Sequence, residues 1–389
     1  MFTGQTVFAQ ILEFLPRHEF DKCVARYKGN YRVRRFSCRD QFVCLAFAQL
    51  TYRESLRDIE TCLRAMGHKL YHAGFRGNVA RNTLAKANER RDWRIWADVA
   101  QILITKARRL YCNEHFGVEL EQTAYAFDST TIDLCLTLFR WAPFREHKAA
   151  IKVHTLIDLR GNIPCFLVIT PGKVHDVNIL DQLPLESGSF YVMDKAYVDF
   201  ARLFRINQSG AFFVTRAKKG LAFKRLRSFP VDRYTGLRSD QLIRLTGPKT
   251  SKRYPLPMRR IAYRDPETGK RYVFLTNNLT LPAMTITQLY KRRWQIELFF
   301  KWIKMHLRIK AFYGTSENAV KTQVWTTVAI YVLVAIIKKE LGLERSMYEI
   351  LQILSISIFE KGPIDELLRQ EHDQNNSDPF PIQLNLFDF

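Results

Sequence analysis

Residues 285–307 read TITQLYKRRWQIELFFKWIKMHL, and the rest of the chain is organised around this stretch. The spacing predicts one long helix. Thr285 and Gln288 fit a capping box, Pro282 suits the loop that feeds a helix start, and neither Gly nor Pro interrupts the five turns that follow. Leu289, Ile296, Phe299, Phe300 and Ile303 recur at helical spacing and face a core. Tyr290, Arg293, Glu297 and Lys304 stand at offsets that project from one other face, and Lys301 lies on that face too. One carboxylate flanked by an aromatic hydroxyl and several cations suits the holding of a divalent metal beside a polyanion. The ordinary alternative for such a face is solvation on an amphipathic helix.

The whole-chain balance favours a polyanionic partner. Lys and Arg number 60 against 38 Asp and Glu in 389 residues, a net charge of +22. The basic residues are spread along the chain, as in a folded protein with basic faces. At 47% hydrophobic residues, a packed core follows. Seven cysteines without a CxxC pair read as reduced, mostly buried thiols of a cytosolic protein, not as a zinc site or a disulfide framework. No basic and apolar leader opens the chain. The apolar run 324–337 is shorter than the roughly 20 residues of a membrane span and reads as a buried core helix, so no membrane partner is expected. No Gly-rich phosphate loop occurs, and a lone histidine such as His147 or His154 reads as a packed or surface residue.

In chain order, residues 1–117 read as helical. A helix, a Gly-containing turn and the segment VARNTLAKAN (79–88) suggest a helix-turn-helix whose second helix offers Arg81, Asn82, Thr83, Lys86 and Asn88 to DNA. From residue 118 to 215 the pattern becomes α/β. Residues 123–127 form a strand ending at Asp128, and 132–139 form a second. Residues 149–157 and 163–170 form a hairpin, and 190–193 form a strand ending at Asp194. Residues 216–280 read as a β-rich, basic insertion. Residues 281–312 return to the core with the Glu297 helix. C-terminal helices occupy 313–368, and 369–389 is a polar tail expected to be disordered. Two strand-end aspartates meet if their strands are neighbours, and Glu297 then reaches them from a packed helix. Three such carboxylates suit Mg²⁺ or Mn²⁺, and two ions activate a hydroxyl and stabilise the leaving oxygen of a phosphodiester.

At this point a family resemblance enters. Tyr290-x2-Arg293-x3-Glu297-x6-Lys304 resembles the Y-R-E-K signature of bacterial DDE transposases of the insertion sequence four group. AFDST around Asp128 is similar to the first catalytic motif of that family, and YVMDKAYVD around Asp194 to the second, Asp-x-x-[Tyr/Phe]-x-Asp. Ala196 departs from the Gly often found there and bears only on local turn shape. The resemblance covers residues 123–304. It implies an RNase H-like mixed sheet, an α/β fold with a helical DNA-end-binding region ahead and helices behind. It implies Asp128, Asp194 and Glu297 as catalytic metal ligands, and phosphate contacts from Tyr290, Arg293 and Lys304. The implied activity is cut-and-paste transposition of double-stranded DNA through a hairpin, by a homodimer holding terminal inverted repeats and target DNA, in the bacterial cytoplasm at the nucleoid. An RNase H-like endonuclease without strand transfer, and a silent DNA-binding regulator, are the competing readings.

Overall fold

The structure, a computed structural model, describes residues 4–145, 148–307 and 312–369. His147 and the tail 370–389 lie outside these residues. Helices α1 (Val7–Glu13), α2 (Arg17–Arg26), α3 (Cys38–Leu50), α4 (Leu56–Ala65), α5 (Arg81–Arg90) and α6 (Arg94–Leu110) precede the first strand. The strands are β1 (Ala124–Leu134), β2 (Pro143–Arg145), β3 (Lys148–Asp158), β4 (Ile163–Pro171), β5 (Phe190–Met193), β6 (Phe212–Arg216), β7 (Phe223–Phe229), β8 (Leu237–Leu245), β9 (Met258–Arg264) and β10 (Arg271–Thr276). Between and after them come α7 (Phe200–Gln208), α8 (Pro248–Arg253), α9 (Ala283–Lys291), α10 (Trp294–Leu307), α11 (Glu317–Glu340), α12 (Met347–Ser357) and α13 (Ile364–Arg369).

All ten strands form one mixed sheet in the order β2-β3-β1-β5-β6-β10-β9-β8-β7, with β4 also paired to β3. Strands β3 and β4 are antiparallel, as are β1 and β3, while β5 runs parallel to β1 and β6 parallel to β5. The order β4-β3-β1-β5-β6 is that of an RNase H-like core. The hairpin read from sequence is present, and Gly161 and Asn162 supply its left-handed turn at φ 75° and 56°. Where the sequence suggested two strands around Asp128, a single strand passes through it. Residues 129–134 continue β1 because they pair with β3, although β5 stops at Met193. The basic residues after Arg216 form no separate sheet, since β10 pairs with β6 and carries β9, β8 and β7 outward.

Helix α11 explains how the ends of the chain join the sheet. Residues 324–337 are buried throughout, so the apolar run is a core helix. It is the one helix among the described residues long and apolar enough to cross a membrane, and 89% of its apolar window is covered by protein. It packs along α6 and also meets α3, α5, α10 and β4. Asn318 donates to the carbonyls of Asn88 and Arg91, and Tyr111 donates to Ala335 O at 2.9 Å. The first helix is fastened to the C-terminal segment by Val7 N to Glu360 O and Phe8 N to Ile358 O, both 2.9 Å. All seven cysteines are free thiols, but Cys112 and Cys135 are exposed rather than buried.

His154 is a buried titratable group of β3. Its ring is fully enclosed, with Nε2 2.9 Å from Thr170 Oγ1 and Nδ1 3.8 Å from Asp176 Oδ1. Burial pushes its pKa down to about 4, with Asp176 opposing and Lys152 assisting. An unfolded histidine takes its proton near pH ~6.5, so between about 6.5 and 4 the unfolded chain binds more protons. The stability this ring contributes is full above the unfolded value and is lost as pH falls through that window, to a limit of about 3 kcal/mol. Urea unfolding at pH 7 and at pH 4.5 is expected to show that loss in the wild type and a clearly smaller one in His154→Gln. Equal losses in the two proteins would contradict it.

Candidate active site

The parallel register of β1 and β5 sets two of the acids side by side. Phe127 pairs with Met193, and both side chains are buried on one face of the sheet. Alternation along the strands then turns the next residues, Asp128 and Asp194, to the opposite face. That face carries α10, whose Ile296, Phe299, Phe300 and Ile303 are buried. Glu297 lies in the first turn of α10.

The expected single long helix is two helices, α9 and α10, and α9 starts at Ala283 after Pro282, without the Thr285 cap. The feeding loop is held by Asn278 Oδ1, which accepts from Leu281 N at 2.8 Å. At the junction, the amides of Arg293, Gln295 and Ile296 bond three residues back instead of four. This tighter turn separates two neighbouring arginines. Arg292 donates to Gly117 O at 3.1 Å, while Arg293 turns to the acids.

Arg293 spans two of the three carboxylates. Its Nη1 is 2.9 Å from Asp128 Oδ2 and its Nη2 is 2.6 Å from Glu297 Oε1. Asp194 has its own cation, Arg216, and accepts from Tyr290 OH at 3.2 Å. Tyr290 is fixed by its ring, 4.8 Å from Phe274, and both arginines lie 5.9 Å from its centroid. Asp128 also accepts from Ser129 N at 2.8 Å and from Tyr197 OH at 3.4 Å.

The electrostatics reflect this crowding. Burial raises the Asp128 pKa. Ser129 N–H and Arg293 oppose it, and the nearby charges of Asp194 and Glu297 add to it. Burial also acts to raise Asp194, but Arg216 and the Lys195 amide outweigh it and leave the group below its ordinary value. Burial pushes the Tyr290 hydroxyl up to about 12, so it stays a hydrogen-bond donor at neutral pH. Lys301 and Lys304 are exposed and line, with Asp128, Ser129, Thr130, Glu297 and Phe300, a cleft of about 580 Å³.

Seven of the residues singled out in the sequence therefore converge: Asp128, Asp194, Glu297, Tyr290, Arg293, Lys301 and Lys304. Arg81, Asn82 and Lys86 are exposed on α5 and do not line the cleft beside the acids. Asn88 is buried there and accepts from Gln41 Nε2 at 2.8 Å, so it is a packing residue and offers nothing to a base. Asp199 of the second motif caps α7 by accepting from Ala201 N and Arg202 N. Arg216 and Tyr197 were not foreseen. Thr215 pairs with Met193, so Arg216 is level with Asp194, and the strand-end reasoning that picked out the aspartates also applies to it.

The donor set suits a hard cation in kind, since it is all carboxylate oxygen and its members repel one another. Among the described residues no group of three or more His, Cys, Asp or Glu side chains is gathered closely enough to hold a metal ion. The guanidinium of Arg293 occupies the space between Asp128 and Glu297, and closer approach of the acids requires it to move.

Comparison with known proteins bears on this arrangement. Residues 3–76 match a domain of unknown function (DUF4372), and residues 119–333 match the transposase DDE domain. A putative transposase, y4zB, of Sinorhizobium fredii is 34% identical over 258 residues, covering 65% of this chain and 70% of the relative. A putative transposase for insertion sequence element IS4SA of Synechocystis is 26% identical over 366 residues, covering 90% and 98%. The piggyBac transposase synaptic complex with hairpin DNA aligns at a TM-score of 0.46 with 10% identity, over 91% of this chain and 80% of that one. At that level the likeness carries no argument, and the fold rests on the strand order. The transposase DDE domain spans more than half of the chain and takes in both aspartates, Glu297 and the two lysines. The chain belongs to the DDE transposase family of bacterial insertion sequences.

Proposed function

We propose that the protein cuts and rejoins double-stranded DNA by cut-and-paste transposition, with Asp128, Asp194 and Glu297 as one catalytic centre. The observation that carries this reading is the convergence of three carboxylates, two arginines and a tyrosine at the middle of β1 and the ends of β5 and β6, beside a cleft edged by Lys301 and Lys304. Asp128, Asp194 and Glu297 would hold Mg²⁺ or Mn²⁺, two ions by analogy with two-metal phosphoryl transfer. These ions supply activation of the attacking oxygen and stabilisation of the leaving one.

The chain's own groups have distinct tasks. Lys301 and Lys304 bind backbone phosphates at the cleft edge. Arg293 is held near the acids in the free protein and passes to a phosphate as DNA enters. Tyr290 and Arg216 keep Asp194 ionised and aimed. In the proposed sequence, water first opens one strand. The freed 3′ hydroxyl then attacks the opposite strand to give a hairpin, which is reopened and joined to target DNA. A homodimer holding both terminal inverted repeats serves this sequence, and Arg81, Asn82 and Lys86 on α5 contact the ends.

Asp194→Ala is expected to lower cleavage of DNA carrying the gene's own flanks by at least about 10³-fold, with affinity within about threefold of wild type. Cleavage that persists in the variant with Mg²⁺ would remove Asp194 from the centre. A wild type that binds and never cuts with any divalent metal would favour the silent regulator, and cutting without end joining the simple endonuclease. Arg293→Gln leaves Asp128 and Glu297 facing each other without their shared cation. It is expected to destabilise the metal-free protein by about 2–3 kcal/mol, a loss that added Mg²⁺ partly restores. Chemical unfolding with and without Mg²⁺ measures both. An unchanged unfolding midpoint would show that the bridge contributes nothing.

A further inference from the structure

Residues 3–76 match a domain without an assigned role, and a cluster of three arginines stands inside or at the edge of it. Arg17 opens α2 and Arg39 lies in the first turn of α3. The rings of Phe20 and Phe42, 5.7 Å apart and edge to face, hold these two first turns together. Each arginine stands three residues, about one turn, ahead of its ring. The third, Arg76, follows Phe75, which packs on Phe8 at 5.9 Å and on Phe47 at 6.4 Å. Gly74 lies against Leu12 at the end of α1, so the loop that carries Arg76 is tied to the helix just before Arg17. Three segments far apart in sequence thus set Arg17 and Arg76 near enough to Arg39 for their charges to act on it.

The charges of Asp21 and Asp40 offset part of this cluster, but neither carboxylate bonds to it. Among the described residues, no hydrogen bond or ion pair reaches the side chain of Arg17, Arg39 or Arg76. Arg39 Nη1 is buried without a hydrogen-bond partner. Burial first, then the charge of Arg17, lowers the Arg39 pKa. Arg76 adds to that, while Asp21 and Asp40 oppose it. Asp40 is already engaged, since it accepts from Ser37 N at 2.7 Å in the α3 capping box. Other half-buried arginines in the same helical layer are satisfied. Arg91 donates to Ser37 O at 2.8 Å and Gln41 Oε1 at 2.9 Å, and Arg53 donates to Thr51 O. A half-buried cation with an idle donor and two like charges beside it costs stability unless an anion joins it. Guanidinium groups carried by three separate segments suit the several oxygens of a phosphate. The surroundings suit a long polyanion: Lys28, Arg32, Arg34 and Arg35 are exposed between α2 and α3, and Arg81 and Lys86 follow on α5.

We propose that Arg17, Arg39 and Arg76 form a cradle for one backbone phosphate of duplex DNA, a second point of attachment apart from the carboxylate centre. It rests on the DNA transposase reading and deepens it. The cradle reads no base. It fixes the position of the duplex on the helical layer, while exposed side chains of α5 remain free to touch base edges. Because α11 ties α3, α5 and α10 together, a duplex anchored here bears on the same rigid body that carries Glu297.

The test uses the full chain and the double variant Arg17→Gln/Arg76→Gln. Both side chains are exposed and unpartnered, so the fold should be unaffected. Binding is measured over a salt series to a duplex bearing the gene's own flanks and to an unrelated duplex of equal length. The expected result is a loss of about tenfold or more on both duplexes, with the slope of log affinity against log salt reduced by about 1, as for one phosphate contact. The same-charge control Arg57→Gln/Arg64→Gln should lose no more than about twofold. Inorganic phosphate should raise the melting temperature of the wild type and leave Arg39→Gln unmoved. An equal loss in the control would reduce the cradle to diffuse charge and overturn the proposal. Phosphate stabilisation with unchanged DNA binding in the double variant would mark the site as one for an adventitious ion only. If the wild type cuts flank DNA and the double variant binds with wild-type affinity and slope, the cradle alone is discarded. If the wild type binds neither duplex, the DNA reading falls and the cradle with it.

Discussion

The position of one guanidinium governs the centre of this protein. Asp128 and Glu297 face each other across a distance that Arg293 fills, and without it two carboxylates in a half-buried cleft would repel. The sheet and the helix junction both serve that contact. Parallel pairing of Phe127 with Met193 delivers the two aspartates to one face. The tight turn between α9 and α10 sends Arg293 toward them and Arg292 away. Asp194, level with Arg216 on the next strand, is held by a separate cation and a tyrosine. The free protein therefore stores its acids in ion pairs, each of which a phosphate could replace on the cation side.

The scaffold that makes this possible is larger than the RNase H-like core. Helix α11 is buried along most of its length and gives the helices before the sheet and those after it a common core. Four further strands lengthen the sheet on the β6 side, so Arg216 sits at an internal strand and not at an edge. An internal strand is held on both sides, which limits how far its end can wander from Asp194. Chemistry that needs carboxylates placed to within about 0.5 Å gains from such support.

Much of the site was legible because its signals are local. An apolar run ending in aspartate, and a helix with residues at offsets of 3, 7 and 14, can be read without knowing what lies beside them. Arg216 was hidden because its partnership depends on the strand order β1-β5-β6, which no single segment encodes. The break at Arg292 and Arg293 was hidden for a similar reason. Both residues have good helix propensity, and tertiary contacts to Gly117 and to the acids override it. The strand through Asp128 ran longer than its apolar pattern because pairing with β3, rather than burial, sustains it. In the helical layer the residue types on α5 were suggestive, but Asn88 faces inward, and only the packing against α3 and Asn318 shows this. The union of α6 with α11 joins segments more than 200 residues apart, beyond any periodicity argument.

The central claim is that Asp128, Asp194 and Glu297 act as one metal centre once Arg293 gives way. It is tested most directly by replacing Mg²⁺ with Fe²⁺ in the protein–DNA complex and mapping where peroxide and ascorbate cut the polypeptide. The account predicts backbone cuts beside residues 128, 194 and 297 together, all suppressed by excess Mg²⁺ and all lost in Asp128→Ala. Cuts at one of these positions alone, or at sites remote from all three, would contradict it.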